Sequence, residues 1–433
     1  MSARDAPHRP SDTRSGAGPS KPLLMVAYHY PPEGGASGVL RALKFSKYLP
    51  ATGYTPHVLT LRESSYVTRD DGLKASIPRE AVVHRTFALD ASRHFAIRGR
   101  YPGLLAVPDR FVSWLPFGTA RGLSIIRKEG IRAIYSTSPI PTAHLIAGCL
   151  KRWTGLPWVA DFRDPWIEEG IHPRPGSLRE RIERPLERWV LRSADRIVTT
   201  TPRLREEILG RHADLPADRV RVVYNGFDEE DFGTSPAAPA SRSDRFEILH
   251  AGLVTPDFRD PFPLLRAVAA LVNEGVLPRD RTRVTLLGGG PYLDSKPFRT
   301  ELASLRMEGV IEVMGRVPHE EALRRLGGST ALLLLQASED TRSLIPAKAF
   351  EYLRTGRPIL ALTLEGDTAD LLRGMEQCLV VDPSNAAAVR EAVVRLHEEW
   401  ARTGGTGSVV RPVDRYERRR LTLELAEILN ELT

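Results

Sequence analysis

Cysteine is nearly missing from this sequence. The 433 residues contain two, Cys149 and Cys378, and neither stands at metal-ligand spacing from another cysteine or a histidine. That excludes a disulfide framework and suits a reducing, cytoplasmic setting, with both thiols expected as small buried hydrophobes. Long apolar runs are missing too. The densest, ALLLLQA at 331–337, is far shorter than the roughly 18 residues that span a bilayer. The opening MSARDAPHRPSDTRSGAGPSK has no apolar stretch of the signal-peptide kind, and residues 1–20 read as a disordered tail. No D-x-D pair closes a strand, and DEED (228–231) reads as a cap for the turn that follows. His29, His84, His144, His250 and His319 are scattered without zinc spacing. There is no G-x-S-x-G elbow, and no nucleic-acid module is recognisable.

What is present is a globular composition. Hydrophobic residues make up 42% and charged ones 27% of the chain, which excludes a disordered or collagen-like protein. The length fits two domains of roughly 100–200 residues each. The net charge is +7, and of the 61 basic residues 8 are lysine and 53 arginine. A basic surface suits nucleic acid, anionic lipid or a phosphorylated substrate. So strong a preference for arginine also reads as compositional bias, so charge alone assigns no partner.

Short apolar runs alternate with helical patterns. LLMVA (23–27) reads as a buried strand, and VLRALKFSKYL (39–49) as a helix with an apolar stripe and with Arg41, Lys44 and Lys47 on another side. Further strands are expected at HVLTL, AVVHRT, RAIYST, WVAD, RIVTT and VRVVY. Helices are expected near 118–129, 140–154, 177–193 and 202–210. The pattern pauses over a Pro/Ala/Ser-rich stretch and restarts with FEILHAG, RVTLLGGG, VIEVMG, TALLLLQ, PILAL and CLVV, with helices at 261–274, 346–355, 384–400 and 414–431. Strands alternating with helices predict mainly parallel sheets covered on both faces. The chain therefore divides into residues 21–232, a linker at 233–245, a second domain at 246–413 and a C-terminal helix at 414–433. Ligands of such sheets bind outside the carboxyl ends of the strands.

Three loops carry candidate chemistry. Gly34 and Gly35 follow the first strand, where backbone N–H groups can approach a phosphate, although G-x-G-x-x-G is not formed and a dinucleotide oxidoreductase is disfavoured. DFRDPW places Asp161, Arg163 and Asp164 at the carboxyl edge of the first sheet. Two carboxylates around an arginine can orient hydroxyls or a base, or form a loop salt bridge. In SLIPAKAFEYLRTGRPILA (343–361), Pro346 suits a first helical turn, and N–H groups around Ile345 form an anion site. Lys348 reaches a phosphate there, and Glu351 on the same face accepts from a ribose diol, or the two form a surface pair.

In order and spacing, YHYPPEGGASGVLRALKFSKYL, PWVADFRDPW, ADRIVTTTP, VVYNGFD, HAGLVTP, LLGGGP, VMGRVPHEEAL and IPAKAFEYLRTGRPILA resemble the retaining family 4 glycosyltransferases of GT-B fold. The resemblance covers nearly the whole chain from about residue 22. It implies two facing Rossmann-like doubly wound α/β domains and a nucleotide-sugar donor, UDP-type, with no cofactor and no metal. It implies that Gly34 and Gly35 face the donor diphosphate, that Gly252 and Arg259 also bind donor, and that Arg316 and Val317 read the base. Leu344, Ile345 and Lys348 would hold phosphate and Glu351 the ribose, while Asp161 falls near the acceptor. The family's two glutamates seven residues apart are not both here, because the first falls on Ser343. A glycan, lipid-linked or small-molecule acceptor is expected, and no nucleic acid. The alternatives are a sugar-nucleotide epimerase or a catalytically degenerate nucleotide-sugar-binding subunit. The face Arg41–Lys44–Lys47 and segment 98–118 can dock on an anionic membrane surface, or else the segment packs against the fold and the helix charges are solvated.

Overall fold

The computed structural model describes residues 20–34, 38–95, 103–168, 172–233, 243–405 and 409–433. Gly35, nearly all of the expected tail and most of the expected linker lie outside them.

All thirteen strands expected from the apolar runs form. The first sheet contains β1 (Lys21–Ala27), β2 (Tyr54–Leu61), β3 (Val82–Thr86), β4 (Ala133–Thr137), β5 (Trp158–Phe162), β6 (Arg196–Thr199) and β7 (Val220–Val222), in the order β3-β2-β1-β4-β5-β6-β7. The second contains β8 (Phe246–Ala251), β9 (Thr282–Leu287), β10 (Ile311–Met314), β11 (Ala331–Gln336), β12 (Ile359–Thr363) and β13 (Cys378–Val381), in the order β10-β9-β8-β11-β12-β13. Every pairing is parallel. Strand order reverses between β1 and β4 and between β8 and β11, which places a ligand crevice at those carboxyl ends.

Both sheets are buried on two faces, as continuous apolar strands require. Leu24 and Val26 of β1 enter one core with Trp114, Ile146 and Trp158, while Leu23 and Met25 enter another with Phe45 and Val198. In the second sheet Leu333 and Leu335 of β11 face Val268 and Val393, and Leu332 and Leu334 face Phe350 and Leu353. Four helices of at most ten residues among the described residues were not expected from the sequence: Ala91–His94, Lys296–Ser304, His319–Gly328 and Asp367–Arg373. They are short and bury few apolar side chains, so each offers only one or two full turns of pattern.

The C-terminal helix, Arg418–Asn430, crosses back onto the first domain. Leu421, Leu425, Ile428 and Leu429 join the core that holds Leu23, Met25 and Phe45. The outgoing and returning passages lock together, with the Phe227 N–H donating to the Tyr416 carbonyl (3.1 Å) and the Arg418 N–H to the Phe227 carbonyl (2.9 Å). Gly226 is required at this crossing, since a Cβ there would lie 1.9 Å from the Tyr416 carbonyl oxygen.

The expected basic face of the first helix, Val39–Tyr48, does not face outward. Arg41 and Lys44 are 1% and 7% exposed. Arg41 pairs with Asp161, and Lys44 with Asp228 (2.5 Å) and Asp231 (2.6 Å), while Lys47 reaches Glu230 (2.7 Å). Phe111 and Trp114 of the other expected membrane segment are fully buried, and residues 98–102 lie outside the described residues. The helix face is thus largely spent on internal ion pairs, whereas Leu104, Leu105 and Phe117 of the segment remain exposed. Among the described residues no helix is long and apolar enough to cross a membrane. Both cysteines are free and half-buried rather than fully buried, with burial raising each thiol pKa.

Because the C-terminal helix completes the first domain's core, Leu421→Ala should cost about 2–5 kcal/mol of stability, the range for truncating a buried leucine. Urea unfolding of the intact chain measures it. A loss under about 0.5 kcal/mol, the level of surface substitutions, would mean that the helix is not part of that core.

Candidate functional site

The carboxyl ends of β5 and β8, the crossing at 223–228 and the helix Ala347–Thr355 meet at the joint between the domains. Asp161 ends up inside this joint, with no exposed surface. Its Oδ2 accepts from Arg41 Nε (2.8 Å), Tyr135 Oη (2.5 Å) and Thr137 Oγ1 (2.9 Å), and its Oδ1 accepts from Arg41 Nη2 (2.8 Å). Burial pushes its pKa up, but the Arg41 guanidinium outweighs that and holds the carboxyl below the usual carboxylate range. Arg41 also donates to the carbonyls of Val223 and Tyr224. The expected catalytic role of Asp161 is therefore corrected. A fully enclosed carboxylate with both oxygens engaged cannot touch a substrate, and its work is to fix the joint.

Arg163, two residues on, is 9% exposed. Its Nη1 donates to the Gly38 carbonyl (2.8 Å), and its buried Nε has no partner. Asp164 is half-buried beside Glu168. Burial raises Glu168 to about 7, helped by the carboxylates of Asp340, Glu207 and Asp164. Nothing in the sequence singled out Glu168, because its acidic neighbours come from two other elements.

On the second domain the predicted donor residues converge. Pro346 precedes the helix as its cap residue, and its carbonyl accepts from Ala349 N–H (2.9 Å). Lys348 lies one turn in, with its Nζ buried against Gly252 and without a hydrogen-bond partner. Gly252 has φ +130°, which strains any other residue, and a Cβ there would sit 2.3 Å from Lys348 Nζ and displace the lysine end. Burial lowers Lys348 to about 7, with repulsion from Arg259 adding to it and Glu351 opposing it. Arg259 is half-buried, stacks on Phe258 and makes no ion pair among the described residues. Glu351 Oε1 meets His319 Nε2 at 3.1 Å, and this hydrogen bond raises the histidine pKa. His319 was read as one of several scattered histidines; its tie to Glu351 joins helices 32 residues apart. Tyr352 Oη accepts from the Ala251 N–H (2.8 Å), which ties the end of β8 to the same helix.

Other expected residues are placed differently. The Gly34 N–H donates to the Thr68 carbonyl (3.1 Å), so it is not free for a phosphate. The Leu344 N–H donates to Thr341, and its carbonyl accepts from Gln336 and Thr368, so Leu344 is corrected from a phosphate group to a turn residue. Ile345 buries its side chain in the core. Arg316 is exposed beside Gly289, and Val317 is half-buried next to it. Ser343 is 4% exposed and links the domains, its carbonyl accepting from Thr201 Oγ1 (2.6 Å) and its side chain bonding Glu207. Among the described residues no three or more histidine, cysteine or acidic side chains group as metal ligands.

Unpaired cations that converge in a joint at strand carboxyl ends are suited to bind an anionic ligand. Comparisons with known proteins agree in fold and family. Residues 36–226 match the model of a glycosyl transferase 4-like domain, and residues 245–399 that of glycosyl transferases group 1. A D-inositol 3-phosphate glycosyltransferase of Streptomyces scabiei is 28% identical over 214 residues, 47% of this chain and 46% of the relative. One of Kineococcus radiotolerans is 36% identical over 137 residues, 30% of each. The match thus spans less than half the length of these relatives. Sucrose-phosphate synthase from Thermosynechococcus elongatus superposes with a TM-score of 0.65 at 16% identity, covering 95% of this chain and 99% of that one. Anabaena HepE in complex with UDP and glucose superposes with the same score and identity over 95% and 100%.

Since Lys348 titrates near 7 in the folded chain against 10.5 ordinarily, the unfolded chain holds a proton that the folded chain lacks between those values. Stability from this group rises with pH across that window and is lost as pH falls through 7. Lys348→Met should therefore raise the urea midpoint at pH 7 and remove the gain between pH 7 and 9. A lower midpoint would show that the charge holds the structure.

Proposed function

Built from a glycosyl transferase 4-like domain followed by a group 1 domain on a GT-B fold, the chain belongs to the GT4-type glycosyltransferases, and from that premise we propose that it moves a sugar from a nucleotide-sugar donor to a hydroxyl acceptor with retention and without a metal. The observation that carries this reading is the pair Lys348 and Arg259, two half-buried cations without an anionic partner at the end of β8. Breaking a sugar–nucleotide bond builds negative charge on the leaving diphosphate. Fixed cations in a desolvated site stabilise that charge more in the transition state than in the ground state. Glu351, steadied by His319, takes the ribose, and Arg316 and Val317 flank the base. A UDP-type donor is supported by HepE, which is described in complex with UDP and with UDP-glucose. A phosphorylated polyol as acceptor is supported by the relatives named for D-inositol 3-phosphate.

On the acceptor side, Arg163 and Asp164 remain as groups that can orient the substrate, and Asp161 acts through Arg41 as a positioning residue. Asp161 is enclosed and Asp164 orients the acceptor, so in this reading neither carboxylate of the DFRDPW loop serves as nucleophile. Attack then comes from the face of departure, and an oxygen of the leaving diphosphate takes the acceptor proton. A trapped covalent glycosyl-enzyme would contradict this route.

Incubation with UDP-, GDP-, ADP- and TDP-sugars and polyol phosphates tests the reading: a glycosylated product with equimolar nucleotide release is expected. Nucleotide release without acceptor, leaving an epimerised sugar, would favour the epimerase, and binding without release the degenerate subunit. Glu351→Ala should weaken UDP binding about tenfold, the worth of one charge-assisted hydrogen bond. Unchanged affinity would remove Glu351 from the donor site. UDP affinity should also fall between pH 7 and 9 by up to about tenfold per unit, as Lys348 loses its proton, and Lys348→Met should flatten that dependence.

A further inference from the structure

Three consecutive arginines open the C-terminal helix, and they do not behave alike. Arg419 bonds Glu230 at the surface, and Arg420 is exposed. Arg418 turns inward and is 2% exposed. It occupies the first position of the stripe continued by Leu421, Thr422, Leu425 and Leu429, every one buried. An apolar side chain would suit that position best if packing were its only purpose. A buried charge without a partner costs several kcal/mol, whereas an aliphatic replacement is often neutral or stabilising.

The surroundings do not neutralise it. Arg418 Nη1 has no hydrogen-bond partner. The charges that face it are Arg41 from the first helix, Arg163 from the β5 loop, Glu351 from the helix of the second domain and Asp228 from the crossing. Each except Arg163 is already engaged: Arg41 with Asp161, Glu351 with His319, and Asp228 with Lys44 and Tyr48. Burial first, then Arg41 and Arg163, pull the Arg418 pKa down to about 9. Arg163 keeps an unpartnered Nε of its own. Two uncompensated guanidinium groups thus share the joint, one from the β5 loop and one from the C-terminal helix, beside the donor residues.

Charge matching indicates what they serve. A nucleotide-sugar carries two phosphate charges, which Lys348 and Arg259 on the second domain match. Arg163 and Arg418 then remain for a separate anion. We propose that Arg163 and Arg418 form a second anion subsite, on the acceptor side of the joint, that takes a phosphate monoester or equivalent oxyanion carried by the acceptor. This rests on the glycosyl-transfer reading above, since it is the donor that accounts for the other two cations. The planar guanidinium fork suits a phosphate, which can accept two parallel hydrogen bonds from it. Because one arginine belongs to the returning helix, the subsite is completed only when that helix is docked on the first domain.

The test uses the full chain, inorganic phosphate as the probe and Arg418→Gln as the variant. Calorimetry gives the affinity for UDP, and for phosphate in the presence of saturating UDP. Phosphate should bind the UDP-loaded wild type, and Arg418→Gln should weaken that binding about tenfold or more while UDP affinity stays within about twofold. The thermal midpoint of the variant should not fall, because an unpaired buried charge has been removed; a fall with both affinities unchanged assigns Arg418 a structural role and overturns the proposal. Competition between phosphate and UDP, with both weakened in Arg418→Gln, assigns the pair to the donor diphosphate and overturns the acceptor subsite. Absence of phosphate binding to the wild type overturns it as well. Phosphate binding in a wild type that ignores every nucleotide would leave the anion subsite standing and remove the glycosyl-transfer reading instead. Arg163→Gln provides a second variant from another element and should repeat the loss of phosphate affinity.

Discussion

The joint depends on the ion pair between Arg41 and Asp161. Its partners stand 120 residues apart, one on the first helix and one at the end of β5, and both are withdrawn from water. Such a pair gains little over an apolar substitute, but removing one partner would leave a lone buried charge. Two backbone carbonyls, Tyr135 and Thr137 satisfy the remaining capacity, so the network closes on itself. Three elements are fixed by it: the helix that follows the first glycine loop, the β5 loop that carries Arg163, and residues 223–224 where the chain starts its passage to the second domain.

Around that neutral hub the charge is deliberately uneven in sign. Lys44 and Lys47 are answered by acidic residues of the crossing, whereas Lys348, Arg163 and Arg418 each keep a buried nitrogen without a partner. In a low-dielectric joint this arrangement is costly while empty and favourable once an anion enters. The second domain supplies its share through Arg259 in the loop after β8 and through one helix, which Tyr352 ties to β8 and which reaches His319 through Glu351. The first domain supplies its share through a loop and through the returning helix.

The architecture was legible in the sequence wherever burial is continuous. LLMVA and ALLLLQA are apolar throughout because both faces of a parallel strand are covered, and every such run became a strand. The shared helix face of Lys348 and Glu351 was legible because helical phase alone aligns them, whereas their place beside the end of β8 depends on the fold. Arg418 was not, since RRR in an arginine-rich chain looks like solvated surface and only the docking of the last helix turns one of the three inward. Asp161 misled for the converse reason. Its position at a strand end is that of a reacting group, and the arginine that occupies it lies far away in sequence. The face Arg41–Lys44–Lys47 looked like a membrane surface until the acidic crossing covered it.

The central claim is that the uncompensated cations of the joint hold the anionic groups of a sugar donor and its acceptor. A crystal structure of the chain with UDP tests it most directly. The account predicts the diphosphate within hydrogen-bond distance of Lys348 Nζ and the Arg259 guanidinium, and the ribose against Glu351. A diphosphate bound away from Lys348, or a nucleotide seated outside the joint, would contradict it.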